Sequence, residues 1–447
     1  MRKAFIFSAI FLIILTGLTP LTTKAAWDPP TVPVANTVFL INSDSGTVLY
    51  AKNADQKVEP ASITKVMTAI LAAEKFKDKL GTVITVENSD IKAILGTGLS
   101  TSQLRVGEQL TVEQLLYCLL LPSGADAAVI LARAVSGDIP TFIAAMNSKA
   151  KEIGCKNTTY TNPHGQHDAN QYTTAQDVYL IAKYAMSIDI LATVVSTPSY
   201  TISATATTQK HTLTNTNKML SSSNPNYYYK SIKGIKTGSH TQAGSCLVSY
   251  ASSGGYTYYC VVMGAPYTDT QCTTAFEATK PLYQWAFGNF EIKTLVNVGI
   301  PQHEIILELA WNKSKLQLVA DGQFSALIPK ASLKDKVTVV PIADGPNAVP
   351  KTIMAPVKKG QKLGTADVML GTTKIGTINL VANQAVARSS PLYFVYLVGK
   401  FFSSLWFKIV SIALLILLSL YITISFIFNR RKKLLMKRKS RRYKLPK

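Results

Sequence analysis

Acidic residues are scarce in this chain. Its 447 residues hold 25 Asp and Glu against 47 Lys and Arg, for a net charge of +22. Only 16% of residues are charged and 47% are apolar, which excludes a largely disordered chain. Cysteine is also scarce: Cys118, Cys155, Cys246, Cys260 and Cys272 are odd in number and lack metal-ligand spacing. That excludes a disulfide framework and leaves either one pair or packed free thiols. His164, His167 and Asp168 share one stretch but have no third ligand at fixed spacing, so they read as a hydrogen-bonded loop rather than a metal site. Nothing in the sequence calls for a metal or another cofactor. Internal repeats are lacking, and so is low complexity outside the C-terminus.

The positive charge is concentrated in one place. Arg430–Lys447 carries eleven Lys or Arg and no acid, and its removal leaves +11 on the rest. A basic tail suggests a nucleic-acid arm, but Ile409–Phe428 stands just before it. That stretch is twenty residues without a charge, long enough to cross a hydrocarbon core. The tail is therefore expected on the cytoplasmic side, everything before the span outside, and no nucleic acid is expected as a partner. At the other end, Arg2 and Lys3 precede an uncharged run from Ala4 to Thr23 and small residues up to Ala26. This reads as a signal peptide over residues 1–26; an uncleaved anchor is the alternative, because Lys24 fits a cleavage site poorly.

Between these ends, hydrophobic periodicity divides the chain. Val38–Asn42 and Thr47–Tyr50 read as strands joined by a Ser-Asp-Ser-Gly turn. Ile63, Val66, Met67, Ile70 and Leu71 recur at helical spacing. Leu110–Val135 reads as two apolar helices broken at Leu121-Pro122-Ser123-Gly124, with Thr111 as N-cap. Two further helices follow over Thr141–Ile153 and Thr174–Met186, then an edge strand at Lys233–Lys236. A hairpin, Ser245–Tyr250 and Tyr256–Met263, precedes helical spacing over Cys272–Phe287. The sum is a helical cluster beside an antiparallel sheet, over residues 27–290. Residues 291–385 change to short Val, Ile and Leu strands with Gly, Asp and Pro turns, a small all-β domain. Residues 386–408 read as a juxtamembrane linker, 409–428 as the span and 429–447 as the tail.

Chemistry is carried by three separated strings. In Ser62-Ile63-Thr64-Lys65 a helical turn brings the amine to the hydroxyl. A serine hydroxyl is a weak nucleophile near neutral pH, and a desolvated lysine can take its proton. Alone, the string is more commonly a serine N-cap with a solvated lysine one turn later. Ser123, at the break between two apolar helices, can relay a proton, or it can be a turn serine beside Pro122. In Lys236-Thr237-Gly238 the first two side chains can hold a substrate carboxylate, and glycine admits a close backbone approach. The bland reading there is a solvated lysine before a turn. The amides of Ser62 and Ser239 are candidates for an oxyanion hole.

Together and in this order, these strings resemble the low-molecular-mass penicillin-binding proteins, the serine-type D-alanyl-D-alanine carboxypeptidases. Asn162-Pro163-His164-Gly165 and Tyr172-Thr173-Thr174-Ala175 extend the resemblance, which covers roughly Ala35–Ala385. It implies an α/β (α+β) transpeptidase/β-lactamase-like catalytic domain, a C-terminal all-β domain and, here, one C-terminal transmembrane helix in place of the family's usual amphipathic anchor. It also implies Ser62 as nucleophile, Lys65 as base and Ser123 as relay. Lys236 and Thr237 would anchor the carboxylate, and Gly238 and Ser239 would border the substrate. The implied partners are peptidoglycan stem peptides, β-lactams as covalent inhibitors, and the cytoplasmic membrane. One departure stands out. The family's second motif is S-x-N, and this chain has Ser123-Gly124-Ala125. A lost transition-state hydrogen bond costs about 2–4 kcal/mol, which implies slow turnover or an altered substrate pose. Two alternatives follow: a feebly catalytic wall-binding protein, and a β-lactamase. The second is disfavoured because no glutamate stands as a deacylating base between Asn162 and Thr174.

Overall fold

The structure is a computed structural model that describes residues 29–31, 35–268, 271–334 and 336–442. The expected signal peptide and the last five residues lie outside these. Two compact units are present, one of residues up to Lys293 together with Leu327–Lys334, the other of Thr294–Ala326 with Asp335 onward.

The first unit is built on β1 (Thr37–Asn42), β2 (Val48–Lys52), β3 (Ile232–His240), β4 (Gly244–Ser253) and β5 (Tyr256–Ala265). They form one antiparallel sheet in the order β2-β1-β5-β4-β3. All six residues of β1 are buried, because both faces of the sheet are covered. Phe39 and Ile41 face a core shared with Met67, Ile70, Leu115, Ile130 and Phe142, while Val38 and Leu40 face Tyr258, Phe276 and Tyr283. The first core is helical: α1 (Lys65–Lys75), α2 (Val112–Leu120), α3 (Ala125–Ser136), α4 (Ile139–Ile153), α5 (Ala175–Met186) and α6 (Asp189–Ser196). The second is closed by α7 (Thr273–Asn289).

Local chemistry sets several of these boundaries. Thr111 accepts from the Gln114 amide while the Gln114 side chain returns to the Thr111 amide, a capping box that starts α2. Thr174 caps α5 by accepting from the Asp177 amide, without the reciprocal bond. Pro122 cannot continue α2, and Ser123 takes φ +68° before α3 begins. The sequence did not point to α6 or to the small hairpin of Ser199–Ile202 with His211–Thr214.

In the second unit, β6 (Pro301–Glu308), β7 (Lys315–Ala320), β8 (Val337–Pro341), β9 (Thr352–Met354), β10 (Lys362–Leu370) and β11 (Thr373–Ala382) form a sheet. Its order is β8-β10-β11-β7-β6-β9, with β9 parallel to β6. Leu316, Leu318, Ala366, Val368 and Leu380 make its core. The expected linker is helical over α8 (Ser390–Ser403): Ser389 accepts from the Leu392 amide and Pro391 opens the helix. Then α9 runs from Leu405 to Arg442, and its Leu405–Met436 portion is long and apolar enough to cross a membrane. It therefore begins before the expected Ile409 and continues into the basic tail. Its apolar side chains are exposed.

Candidate active site

Ser62 sits in a 3-10 turn, Ala61–Thr64, that runs straight into α1. Ala61 has φ +46° although it is not glycine, so the turn before Ser62 holds backbone strain. Lys65 is fully buried with its Nζ 2.9 Å from Ser62 Oγ and 2.7 Å from the His164 carbonyl oxygen, to which it donates. Burial, and then the charge of Lys236, hold the Lys65 amine well below the usual lysine value, against a smaller upward pull from Asp126. A lowered pKa makes the ammonium easier to deprotonate, and a neutral amine at this distance can accept a hydroxyl proton.

The loop after α4 clamps this turn. Thr68 Oγ1 donates to the Pro163 carbonyl at 2.6 Å, beside the bond from Lys65 to His164. Asn162 Oδ1 accepts from the amides of Gly165 and Gln166, which fixes the loop's shape. His164 is buried, and burial followed by the Lys65 charge pushes its pKa down to about 3, so the ring is neutral. His167 Nδ1 lies 2.8 Å from Glu59 Oε2, and His240 Nε2 is 3.5 Å from the same oxygen. The histidines thus serve hydrogen bonding, and among the described residues no cluster of His, Cys, Asp and Glu could hold a metal ion.

Strand β3 closes the opposite side. Lys236 and Thr237 are buried, in contrast to a solvated strand edge. Lys236 Nζ donates to the Thr237 carbonyl at 3.1 Å, and burial pushes its pKa down to about 8. A Cβ on Gly238 would stand 3.0 Å from the Ser62 amide nitrogen, tighter than an ordinary contact, so a side chain here would push the strand away from the serine. The Ser239 side chain hydrogen-bonds Cys272, whose Sγ lies 3.3 Å from the Gly238 carbonyl oxygen. All five cysteines are free, and four of them are buried.

Ser123 Oγ is buried without a hydrogen-bond partner among the described residues. The turn that carries it is tied to β3 through Thr216. The Thr216 amide donates to the Leu121 carbonyl at 3.0 Å, and Thr237 Oγ1 donates to Thr216 Oγ1 at 2.7 Å. Asp126 turns away from any substrate role. Its carboxylate accepts the amides of Ser102, Leu104 and Ala127 and so pins the segment before α2. The roles of Thr216, Gly165 and Asp126 had no signal in the sequence, since each acts only through contacts made by the fold.

The fold that gathers these strings around one serine is that of the penicillin-binding proteins, an α/β catalytic unit followed by a β-rich unit. Residues 23–267 match the D-alanyl-D-alanine carboxypeptidase family and residues 309–388 match the penicillin-binding protein 5 C-terminal domain. The chain belongs to the D-alanyl-D-alanine carboxypeptidases. It is 31% identical over 336 residues to D-alanyl-D-alanine carboxypeptidase DacF of Bacillus subtilis, covering 74% of this chain and 80% of that one. DacC of Escherichia coli is 32% identical, covering 82% of this chain and 86% of its own length. Penicillin binding protein 5 of Haemophilus influenzae superposes with a TM-score of 0.61 at 29% identity, covering 81% of this chain and all of that one.

Proposed function

We propose that this protein removes the terminal D-alanine from peptidoglycan stem peptides through an acyl-enzyme on Ser62. The reading is carried by the Ser62–Lys65 pair, a hydroxyl 2.9 Å from a buried amine whose pKa is lowered. Lys65 takes the Ser62 proton as Oγ bonds to the carbonyl carbon between the two D-alanines. The amides of Ser62 and Ser239 stabilise the oxyanion, and Ser123 passes a proton to the departing amine. Lys236 and Thr237 hold the terminal carboxylate. D-Alanine leaves, and water then releases the shortened peptide and restores Ser62. β-Lactams acylate the same oxygen and act as covalent inhibitors. The Leu405–Met436 helix anchors the enzyme in the cytoplasmic membrane, with the basic tail inside and the catalytic unit outside.

A second reading, a penicillin-binding protein with feeble turnover, is favoured by Ala125 in place of the family's asparagine. D-Alanine release from a stem-peptide analogue separates the two. Labelled penicillin should map to Ser62 and vanish in Ser62→Ala. A label on another residue, or undiminished labelling of that variant, overturns the assignment.

A further inference from the structure

The β-rich unit carries an exposed apolar end that the proposed chemistry does not use. Trp311, in the turn between β6 and β7, is 64% exposed, and Met354 at the end of β9 is 44% exposed. Backbone bonds tie the two segments to each other: Glu308, three residues before Trp311, lies opposite Met354 in parallel register, and the Ala355 amide donates to the Glu308 carbonyl at 2.9 Å. The same turn holds the start of α8, because the Ser389 amide donates to the Leu309 carbonyl at 2.8 Å. The Arg388 guanidinium stacks 3.6 Å from the centre of the Tyr393 ring, a second tie between the sheet's last segment and α8. Exposed Lys313, Lys358 and Lys359 flank this end with Arg388, while Glu308 offers one opposing carboxylate.

What lies beside this end follows from the helices. Ile409–Asn429 has no charge and stands between Lys408 and Arg430. At ~1.5 Å per residue it measures roughly 31 Å, a hydrocarbon thickness. Lys408 then marks one edge of the hydrocarbon, and α8, which ends at Ser403, falls in the adjoining headgroup layer. No residue of α8 is buried in the protein, and Tyr393, Phe394, Tyr396, Phe401 and Phe402 suit that layer. Exposed Trp311 and Met354, with cations two to five residues away along the chain and a backbone tie to the first turn of such a helix, have the chemistry of an anionic lipid surface.

We propose that this end of the β-rich unit docks on the headgroup layer of an anionic phospholipid membrane. Trp311 and Met354 enter the layer, and Lys313, Lys358, Lys359 and Arg388 face lipid phosphates. The inference rests on the membrane-spanning reading of α9, and Trp406 at the start of α9 tests that reading separately.

The full chain is reconstituted in nanodiscs of phosphatidylglycerol, either ordinary or brominated near the headgroup end of the acyl chains. Subtracting the spectrum of Trp311→Phe isolates Trp311, and Trp406→Phe does the same for Trp406. Labelled penicillin confirms that each variant is folded. The expected result is Trp311 emission about twofold weaker in brominated lipid, with the effect reduced by the pair Lys358→Glu and Lys359→Glu. Quenched Trp406 with unquenched Trp311 overturns the docking while keeping the span. Emission from both Trp406 and Trp311 that is unchanged in brominated lipid overturns the span itself, and the docking with it. A Trp311 spectrum that shifts with soluble glycan strands but ignores brominated lipid assigns the surface to the wall and overturns the proposal.

Discussion

Gly165 stands so close to Ala61 that a Cβ on it would lie 1.9 Å from the Ala61 carbonyl oxygen and 2.9 Å from the Ser62 amide nitrogen. It also has φ +89°, where other residues are strained. The glycine is therefore what allows the His164 loop to lock the strained turn before Ser62, one residue after the carbonyl that receives Lys65.

Gly165→Ala should displace that turn. Backbone strain alone costs about 1–3 kcal/mol, and the clash is with backbone that cannot swing aside. Penicillin acylation is expected to fall at least about tenfold, with a lower melting temperature. An unchanged acylation rate would show that the loop does not position Ser62.

The two buried lysines give a pH profile. Acylation needs Lys65 neutral, so it rises with pH as that lowered amine loses its proton. Carboxylate anchoring needs Lys236 charged, and its pKa is pushed down to about 8. The rate with peptide should thus decline above about pH 8 as Lys236 deprotonates. Lys236→Arg keeps its charge throughout and should abolish the alkaline limb, though at a lower maximum rate, since a larger group enters a buried site. An alkaline limb preserved in that variant would assign it to another group.

Thr216 joins Thr237 to the turn that carries Ser123, and its hydroxyl accepts the Thr237 proton at 2.7 Å. Thr216→Val removes the acceptor while keeping the shape. The lost bond is worth about 1–1.5 kcal/mol, or roughly tenfold, and it should raise KM more than it lowers kcat. Equal KM values would leave Thr216 a purely structural residue.

What was legible in the sequence was local. Ser62 and Lys65 are one turn apart, so their pairing needed no knowledge of the fold, and the Ser252-Ser253-Gly254-Gly255 turn between two apolar runs marked the β4–β5 hairpin directly. Thr216 was illegible because its two partners, Leu121 and Thr237, come from different parts of the unit and meet only through packing. Propensity also gave no sign that Ala61 would adopt φ +46° or that Lys236 would be buried. Residues 386–408 read only as a linker to the span, yet Ser389 caps a helix that Pro391 opens rather than breaks.

Ala125 is the position where the family's motif and this chain part. It is fully buried, packed with Ile94, Val129 and Leu99, and its amide donates to the Ser100 carbonyl at 2.8 Å. The segment held by Asp126 therefore packs over the position, and an asparagine there meets apolar side chains. Burying its amide without a partner costs about 1–3 kcal/mol, and its extra volume adds to that cost. Ala125→Asn is expected to lower the melting temperature by roughly 3–10 °C and to raise neither stem-peptide turnover nor penicillin acylation. Thermal unfolding and both rates, measured on the same preparation, decide it. A severalfold rise in turnover with an unchanged melting temperature would mean that the amide reaches the substrate, and that alanine here is a simple loss from an otherwise ordinary site.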